Sequence, residues 1–290
     1  MMHLFHRVSQ HCSRITTREY STSFASAIRL LHKDLRNPIC NIYGLVRFAD
    51  EIVDTFHDYD KKGLLAGFKA EAFSAIRCGL SLNPILHSFQ LTVREYGIEP
   101  ALIEAFFNSM EMDLEGRQYD QEQYEAYIYG SAEVVGLMCL RVFCEGDRGL
   151  FDALAPYARK LGSAFQKVNF LRDLRSDDKD LCRCYFPGVD LRSFDKEMKR
   201  RIEDDILKDF EQAAEGIGRL PLKARFGVYV AYKYYLSLFD KIRNTTPAVI
   251  LESRVRIPDH KKFWILMRAG VKNHLQLIKP SYAGRSDLSR

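Results

Sequence analysis

The sequence lacks the signatures of several protein classes. Its seven cysteines include no Cys-x-x-Cys pair, and the closest two, Cys182 and Cys184, stand too near each other for a usual zinc knuckle. Charged residues interrupt the most apolar stretches well before the roughly 20 residues that a transmembrane helix needs. Basic runs are short, as at 199–201, whereas nucleic-acid binding usually shows a clustered basic face. We therefore expect a cytoplasmic protein with reduced thiols, without a transmembrane helix and without a nucleic-acid partner.

Low-complexity linkers and repeats of solenoid period are missing too, which favours a single domain. The chain has 290 residues, of which 47% are hydrophobic and 28% charged, so it can bury a substantial core. Lys and Arg number 43 against 38 Asp and Glu, which gives a net charge of +5. This mild excess suits anionic ligands or an anionic membrane surface and does not decide between them.

Alternating strand patterns and Asn-Gly or Asp-Gly hairpin turns are absent, while apolar residues recur at intervals of three and four nearly everywhere. This pattern predicts an all-α fold. Turn-forming segments at 146–149, 186–188 and 245–247 separate helices. The predicted helices span residues 23–31, 37–57, 62–78, 83–96, 100–114, 122–143, 149–175, 195–216, 222–243 and 260–277.

The N-terminal segment carries Arg7, Arg14 and Arg18 and has no acidic residue before Glu19. This composition has some character of an organellar transit peptide. We favour a short basic lead-in, residues 1–19, because a cleavable segment would run directly into motif residues. The main domain is then expected at 20–278, followed by a disordered tail at 279–290.

A polar stripe runs along the predicted helix around 39–54, beside its apolar face. Tyr43, Arg47, Asp50 and Asp54 follow at spacings of four, three and four, so their side chains project on the same side. Two carboxylates four residues apart repel each other by a few tenths of a kcal/mol on an isolated helix. A divalent cation between them reverses that sign, and Mg²⁺ uses one or two carboxylates together with substrate phosphate oxygens.

The helix around 159–177 repeats the arrangement. Gln166, Asn169, Asp173 and Asp177 form a second polar stripe, with Arg172 among them in sequence. Carboxylates that hold cations, beside an arginine, suit the ionisation of a diphosphate because cations and arginine stabilise the departing pyrophosphate. A solvated charged face is the alternative reading of any single Asp-x-x-x-Asp helix, and tandem acidic helices also occur as exposed surfaces.

These motifs resemble the squalene and phytoene synthase family. Residues 50–54, Asp-Glu-Ile-Val-Asp, are similar to its first aspartate-rich motif, and residues 166–177, Gln-Lys-Val-Asn-Phe-Leu-Arg-Asp-Leu-Arg-Ser-Asp, to its second. The resemblance extends over about 20–275. It includes the diphosphate-contacting segment 20–24, the mid-chain signature at Met112-Asp113 and 127–136, the flap 185–187 and the basic closing segment 254–258.

The resemblance implies a single-domain isoprenoid-synthase helical bundle whose central cavity carries the two motifs on opposing walls. It implies catalytic roles for the four motif aspartates, and Mg²⁺, with Mn²⁺ as an alternative, at Asp50, Asp54, Asn169, Asp173 and Asp177. The side chains implied to bind the substrate diphosphates or lie beside them are Tyr20, Ser21, Ser23, Tyr43, Arg47, Gln166, Arg172, Tyr185 and Tyr235. Tyr235 shares a helix with Tyr229, Tyr232 and Tyr234, most of which we expect to pack in the core.

The sequence departs from the family pattern in the mid-chain signature. Family members commonly have Cys after the tyrosine that corresponds to Tyr127 and an Ala-Gly pair ahead of the last glycine. Here Ile128 follows Tyr127, and Glu133 lies in the run that ends at Gly136. We expect this difference to affect the shape of the cavity and not the metal site.

The implied reaction joins two prenyl diphosphates head to head through a cyclopropylcarbinyl diphosphate and releases pyrophosphate. We favour geranylgeranyl diphosphate as substrate and phytoene as product. NADPH is not expected, because a glycine-rich dinucleotide fingerprint is missing. Alternatives are a farnesyl diphosphate-using dehydrosqualene or squalene-type synthase, a non-catalytic assembly factor with the same fold, and head-to-tail elongation or terpene cyclisation. Peripheral membrane contact and a downstream carotenoid desaturase are the other candidate partners.

Overall fold

Helices are the regular elements of the structure. This computed structural model describes residues 2–115, 119–179, 185–189 and 193–255 together with 265 and 269, and the side chains of 175–179 are not described. No β-strand occurs in these ranges, so the predicted all-α fold is confirmed. The helices within them are α1 (Met2–Tyr20), α2 (Thr22–Ile28), α3 (Lys33–Asp54), α4 (Lys61–Cys78), α5 (Pro84–Tyr96), α6 (Pro100–Asp113), α7 (Gln121–Ile128), α8 (Val134–Cys144), α9 (Arg148–Lys179), α10 (Lys196–Ile217), α11 (Leu222–Arg243) and α12 (Pro247–Glu252).

Local capping chemistry explains where several helices begin and end. Asp60 accepts a hydrogen bond from the backbone N–H of Gly63 at 3.0 Å and begins α4. Asp120 and Gln123 cap each other's backbone at the start of α7. Gly97 ends α5 with φ +63°, a left-handed conformation that glycine adopts without steric cost. These signals lie in the sequence, which is why the predicted and observed ends agree closely here.

Helix α1 corrects the prediction for the N-terminus. Residues 1–19 were expected to be a lead-in, with the first helix at 23–31, but α1 packs against α3 and α5. Its inward face carries the hydroxyl side chains of Ser9, Ser13, Thr16 and Thr17, whereas the pattern used to predict helices expects an apolar inward face. Helix α12 was also not predicted, because it has only six residues. The predicted helix 260–277 and the tail 279–290 lie outside the described residues, apart from 265 and 269.

A π-helical turn, Tyr129–Glu133, divides the predicted helix 122–143 into α7 and α8. The glycines of this region bring α8 and α9 close together. A Cβ on Gly136 would lie 2.8 Å from the carbonyl oxygen of Ala158, and one on Gly162 would lie 2.6 Å from that of Ala132. Any larger residue at either position would force the backbones apart. The mid-chain signature therefore packs directly against the helix that carries the second polar stripe.

The stretch Gln121–Cys144 is the one described segment that is long and apolar enough to cross a membrane. Half of the most apolar 18 residues of this stretch are buried inside the protein. Val134, Met138 and Val142 have no exposed surface at all. Core helices pass the same length and composition test, so we interpret the stretch as part of the hydrophobic core.

Ionic contacts on another side of α9 hold it against α10. The ammonium group of Lys167 contacts Asp205 at 2.5 Å and Asp209 at 2.7 Å, and the Ser163 hydroxyl donates to Asp209 at 2.6 Å. Lys167 and Asp209 are both nearly inaccessible, at 7% and 2% exposure. Gln166, next to Lys167 in sequence, projects from a different side of α9 and contacts Ser131 of the π-helical turn at 3.3 Å.

A histidine pair, of which His87 is buried, joins α1 to α5 and predicts a pH effect on stability. The Nδ1 of His87 accepts the backbone N–H of Ser81 at 3.3 Å, and its Nε2 lies 2.7 Å from Nδ1 of His6. Burial, with a smaller effect of His6, lowers the pKa of His87 below its usual range. A lowered pKa in the folded state means that stability is present above the unfolded value of about 6.5 and is lost as pH falls.

We therefore expect the free energy of unfolding, measured by urea titration, to fall between about pH 7 and about pH 5. In His87→Gln we expect a lower free energy of unfolding near neutral pH but a weaker dependence on pH, because the imidazole that must stay neutral is gone. The exposed His3, on the same helix as His6, supplies the control His3→Gln, which should follow the wild-type profile. Parallel profiles for wild type and His87→Gln would contradict this role of His87.

Candidate active site

The first polar stripe lies on α3 and contacts the residues that precede α2. The Arg47 guanidinium forms an ion pair with Glu51 and lies 4.4 Å from the ring centroid of Tyr20. Its Nε is buried and has no hydrogen-bond partner among the described residues. A buried N–H group without a partner costs free energy, which an anionic ligand would recover.

Asp50 is in an environment that is unfavourable for a carboxylate without a cation. Its side chain remains partly accessible. Its pKa is nevertheless raised to about 8, mainly by burial and then by the charge of Asp54, with a smaller contribution from Asp113. Partial access combined with strong desolvation is typical of a side chain that lines a recess. Asp54, one turn later, is exposed. In the first motif, one carboxyl group is therefore half-buried and the other is exposed.

Tyr43 connects this stripe to α2 and α11. Burial raises its pKa to about 12, and the charges around it include Arg47, Asp50 and Tyr235. The Ser21 hydroxyl is within hydrogen-bonding reach of the Tyr43 side chain and also caps α2 by accepting the N–H of Phe24 at 3.2 Å. Tyr235 stacks on Phe165 of α9 with a centroid distance of 3.8 Å.

The second polar stripe lies on α9. Gln166 donates to the hydroxyl of Ser131 in the π-helical turn at 3.3 Å, and Asn169 donates to Gln166 at 3.5 Å. The side-chain oxygen Oδ1 of Asn169 is buried and has no hydrogen-bond partner among the described residues. An amide oxygen left in this state is an available ligand for a hard cation.

Asp173 is enclosed by two arginines. Arg172 donates to it from Nε at 3.0 Å and from a terminal nitrogen, and Arg254 contacts it from Nε at 2.7 Å. Arg254 belongs to the predicted closing segment, whose other residues after Val255 lie outside the described ranges. The side chain of Asp177 is likewise not described, so its predicted role stays a prediction. Three charged side chains from two distant parts of the chain thus meet at one point beside α9.

Asp113 is a candidate site residue to which sequence reasoning gave no role of its own. Only 6% of it is exposed, and it accepts hydrogen bonds from the hydroxyls of Tyr127 at 2.5 Å, Tyr185 at 2.9 Å and Tyr119 at 3.5 Å. Burial, followed by the charge of Asp113, raises the pKa of Tyr127 well above its usual range. A buried carboxylate with these partners is held rigidly.

The Asp113 cluster, Asp113 with Tyr119, Tyr127 and Tyr185, lies near both stripes. On one side its charge acts on Asp50 of α3. On the other side the Tyr185 ring stacks on Phe170 of α9 at 4.1 Å, beside Asn169 in sequence. Tyr185, predicted to contact substrate, is buried in this cluster at 6% exposure. Ser23 lies half-buried in the first turn of α2, and its predicted role stays a prediction.

Glu133, the departure from the family signature, is paired. It accepts a hydrogen bond from Nε of Arg159 at 2.5 Å, and the same guanidinium lies 5.2 Å from the Tyr129 ring. The extra charge is therefore compensated within the contact between α9 and the π-helical turn. It does not touch the aspartates of either stripe in any contact that the structure records.

The residues of the two stripes fit a divalent cation. Among the side chains that the structure describes, no three His, Cys, Asp or Glu groups come close enough to hold a metal ion by themselves. The partnerless oxygen of Asn169 and the desolvated carboxyl of Asp50 are oxygen ligands of the kind Mg²⁺ prefers, and Mg²⁺ commonly takes its remaining ligands from substrate phosphates and water. The donor set is thus suited to a cation that arrives with a diphosphate.

A cleft of about 520 Å³ lies elsewhere, between the start of α10 and the end of α11. It is lined by Lys199, Glu203, Arg243 and neighbouring residues, and none of the predicted site residues contributes to it. Lys199 is already paired there with Glu203 and with the Arg243 carbonyl oxygen. We do not assign the candidate site to this cleft.

Comparison with known proteins agrees with the geometry. The family model for squalene/phytoene synthase matches residues 17–261. The chain is 26% identical over 247 residues to 15-cis-phytoene synthase of Paracoccus sp., covering 78% of this chain and 80% of that protein. It is 28% identical over 253 residues to phytoene synthase of Cereibacter sphaeroides, covering 77% and 68% of the two chains.

A solved structure shows the same fold. A crystal structure of a dehydrosqualene synthase in complex with ligand superposes with a TM-score of 0.79 and 19% identity, covering 94% of this chain and 98% of that one. At this identity the likeness establishes the helical bundle and not the substrate. Together with the family match over most of the chain and the two aspartate stripes on α3 and α9, it shows that the protein belongs to the squalene/phytoene synthase family.

Proposed function

We propose that this protein is a phytoene synthase, which condenses two geranylgeranyl diphosphates head to head and releases pyrophosphate. The observation that carries the proposal is the pair of polar stripes on α3 and α9, each of which holds a buried polar atom without a partner among the described residues, Nε of Arg47 and Oδ1 of Asn169. Each stripe combines carboxyl groups with an arginine, which is what diphosphate departure requires. The chemistry needs no nucleophilic side chain, and none is assigned.

Asp50, Asp54, Asn169, Asp173 and Asp177 are the residues that would hold magnesium, with manganese as a substitute. When bound, the metal supplies Lewis-acid stabilisation of the pyrophosphate leaving group. Arg172 and Arg254, which form ion pairs with Asp173, would exchange that carboxylate for substrate phosphate oxygens. Arg47, with its partnerless Nε, offers a further donor on α3.

The aromatic residues around the stripes would exclude water and accommodate positive charge on the isoprenoid. Tyr43 packs against Phe24 at 5.2 Å, and Tyr235 stacks on Phe165. Such rings have negative faces that attract an allylic cation, and their burial keeps water from quenching it. Ser21 orients Tyr43, and Gln166 is oriented by Ser131.

The relatives at 26% and 28% identity that are named as phytoene synthases support phytoene as the proposed product. The missing glycine-rich fingerprint supports release of the product by proton loss and not by reduction with NADPH. A downstream desaturase is the class of enzyme that would consume this hydrocarbon.

The test is direct. The purified protein is incubated with geranylgeranyl or farnesyl diphosphate and Mg²⁺, with and without NADPH, and the hydrocarbon is identified by mass spectrometry. We expect a forty-carbon product from geranylgeranyl diphosphate, the same yield without NADPH, and no product after chelation of the metal. If only farnesyl diphosphate is converted, to a thirty-carbon product, it replaces geranylgeranyl diphosphate as the proposed substrate. No product from either diphosphate would favour a non-catalytic assembly factor.

A further inference from the structure

Helix α1 has its polar and apolar faces in the reverse of the usual orientation. Ser9, Ser13 and Thr16, at spacings of four and three, are buried, with 8% exposure or less. Leu4, Val8 and Ile15, at spacings of four and seven, are 54%, 50% and 39% exposed. A helix on a globular protein normally buries its apolar stripe and exposes its polar one.

Specific contacts fix this orientation. The Ser13 hydroxyl lies 2.6 Å from that of Ser88 on α5, and Nδ1 of His6 lies 2.7 Å from Nε2 of His87 on the same helix. A Cβ on Gly44 of α3 would lie 3.0 Å from the Ser13 hydroxyl oxygen. Small hydroxyl residues opposite a glycine allow this close approach, and a rotation of α1 that buried Leu4 and Val8 would not fit the same space.

The exposed apolar residues of α1 share one face of the helix, where the exposed His11 lies between Val8 and Ile15. Elsewhere Leu222, at 80% exposure, and Tyr59, at 70%, stand singly, and Leu80 and Leu82 are exposed together in the turn before α5. Single exposed apolar residues are ordinary, whereas several on one helix face indicate a contact surface.

A basic stripe borders the apolar one. Arg7, Arg14 and Arg18 follow at spacings of seven and four, and all three are exposed. Arg14 donates to Asn37 at 3.0 Å, and Arg18 pairs with Glu19, the first acidic residue of the chain. An apolar stripe flanked by arginines is the arrangement of helices that lie in the interface of an anionic membrane.

We propose that the outer face of α1, formed by Leu4, Val8 and Ile15 with Arg7, Arg14 and Arg18, binds the surface of an anionic membrane. A second copy of the chain fits less well, because a symmetric contact across this face would bring the basic stripes of both copies together. The surface does not depend on the proposed reaction, since vesicle binding is measured without turnover. It would place a protein with amphiphilic substrates and an oily product beside the lipid.

The test compares sedimentation of the full chain with vesicles of phosphatidylcholine alone and with vesicles in which about a third of the lipid is phosphatidylglycerol. We expect binding to the anionic vesicles only. The triple variant Leu4→Ser, Val8→Ser, Ile15→Ser should lower the partition coefficient at least about tenfold, because three half-exposed apolar side chains no longer enter the lipid. Its matched control is Leu64→Ser, Leu222→Ser, Val249→Ser, which changes exposed apolar residues on other helices and should bind as wild type does.

A second pair of variants tests the charge. Arg7→Gln with Arg18→Gln should weaken binding and its dependence on salt, whereas Arg200→Gln with Arg201→Gln, which are exposed on α10, should not. Circular dichroism confirms that each variant is folded. Equal vesicle binding by the triple variant and wild type, or no binding by wild type, would overturn the proposal. Equal binding to both vesicle types would overturn it as well. A wild type that is dimeric, with a triple variant that is monomeric, would instead assign this face to self-association.

Discussion

Asp50→Asn is expected to abolish turnover while leaving the protein as stable as the wild type or more so. Burial and the charge of Asp54 make the Asp50 carboxylate unfavourable in the metal-free protein, as its pKa of about 8 indicates. Replacing it with a neutral amide of the same shape removes that cost and also removes a proposed metal ligand. We expect hydrocarbon formation to fall by about a thousandfold or more.

The measurement that separates the two effects is thermal unfolding with and without Mg²⁺ and pyrophosphate. Wild type should gain melting temperature when both are added, and Asp50→Asn should not, although its melting temperature in chelator is equal or higher. Asp34→Asn, an exposed aspartate on the same helix that pairs with His32 at 3.2 Å, is the matched control and should retain both activity and the ligand response. A fully active Asp50→Asn would refute the role of α3 in catalysis, and an unfolded one would refute the physical account of Asp50.

Much of the fold follows from sequence because its signals are local. The ends of α4, α5 and α7 depend on Asp60, Gly97 and Asp120, each of which acts within a few residues of itself. The two stripes on α3 and α9 follow from spacing alone, since residues three and four apart share a helix face. Their identity as members of one site came from the resemblance and not from spacing.

What sequence could not predict depends on contacts between distant residues. Sequence does not predict helix α1 because its inward face is polar, held by pairs such as Ser13 with Ser88, while its apolar residues lie on the exposed face. Arg254 was expected only as part of a basic segment, and its contact with Asp173 spans 81 positions of the chain. Asp113 appeared as one letter of a family signature, and a carboxyl group shared by three tyrosines from separate segments has no sequence pattern of its own.

Asp113→Ala is the second change for which we expect a large effect, in this case on stability and activity together. It would leave the hydroxyls of Tyr127 and Tyr185 buried without their acceptor, and each such group costs about 1–3 kcal/mol. We expect the free energy of unfolding, measured by urea titration, to fall by about 3 kcal/mol. Turnover should also fall, because Tyr185 stacks on Phe170 between the second stripe and Asp113.

Conservative variants distinguish the Asp113 cluster from a merely structural carboxylate. Asp113→Asn keeps one acceptor oxygen and should recover part of the stability lost in Asp113→Ala. Tyr127→Phe removes the shortest of the three bonds and Tyr119→Phe the longest, at 2.5 Å and 3.5 Å, so the same chemical change should cost more at 127 than at 119. If Asp113 is the shared partner, the double variant Asp113→Ala, Tyr127→Phe should lose less stability than the sum of the two single changes. Strict additivity would show that the hydroxyl of Tyr127 is held by something other than Asp113.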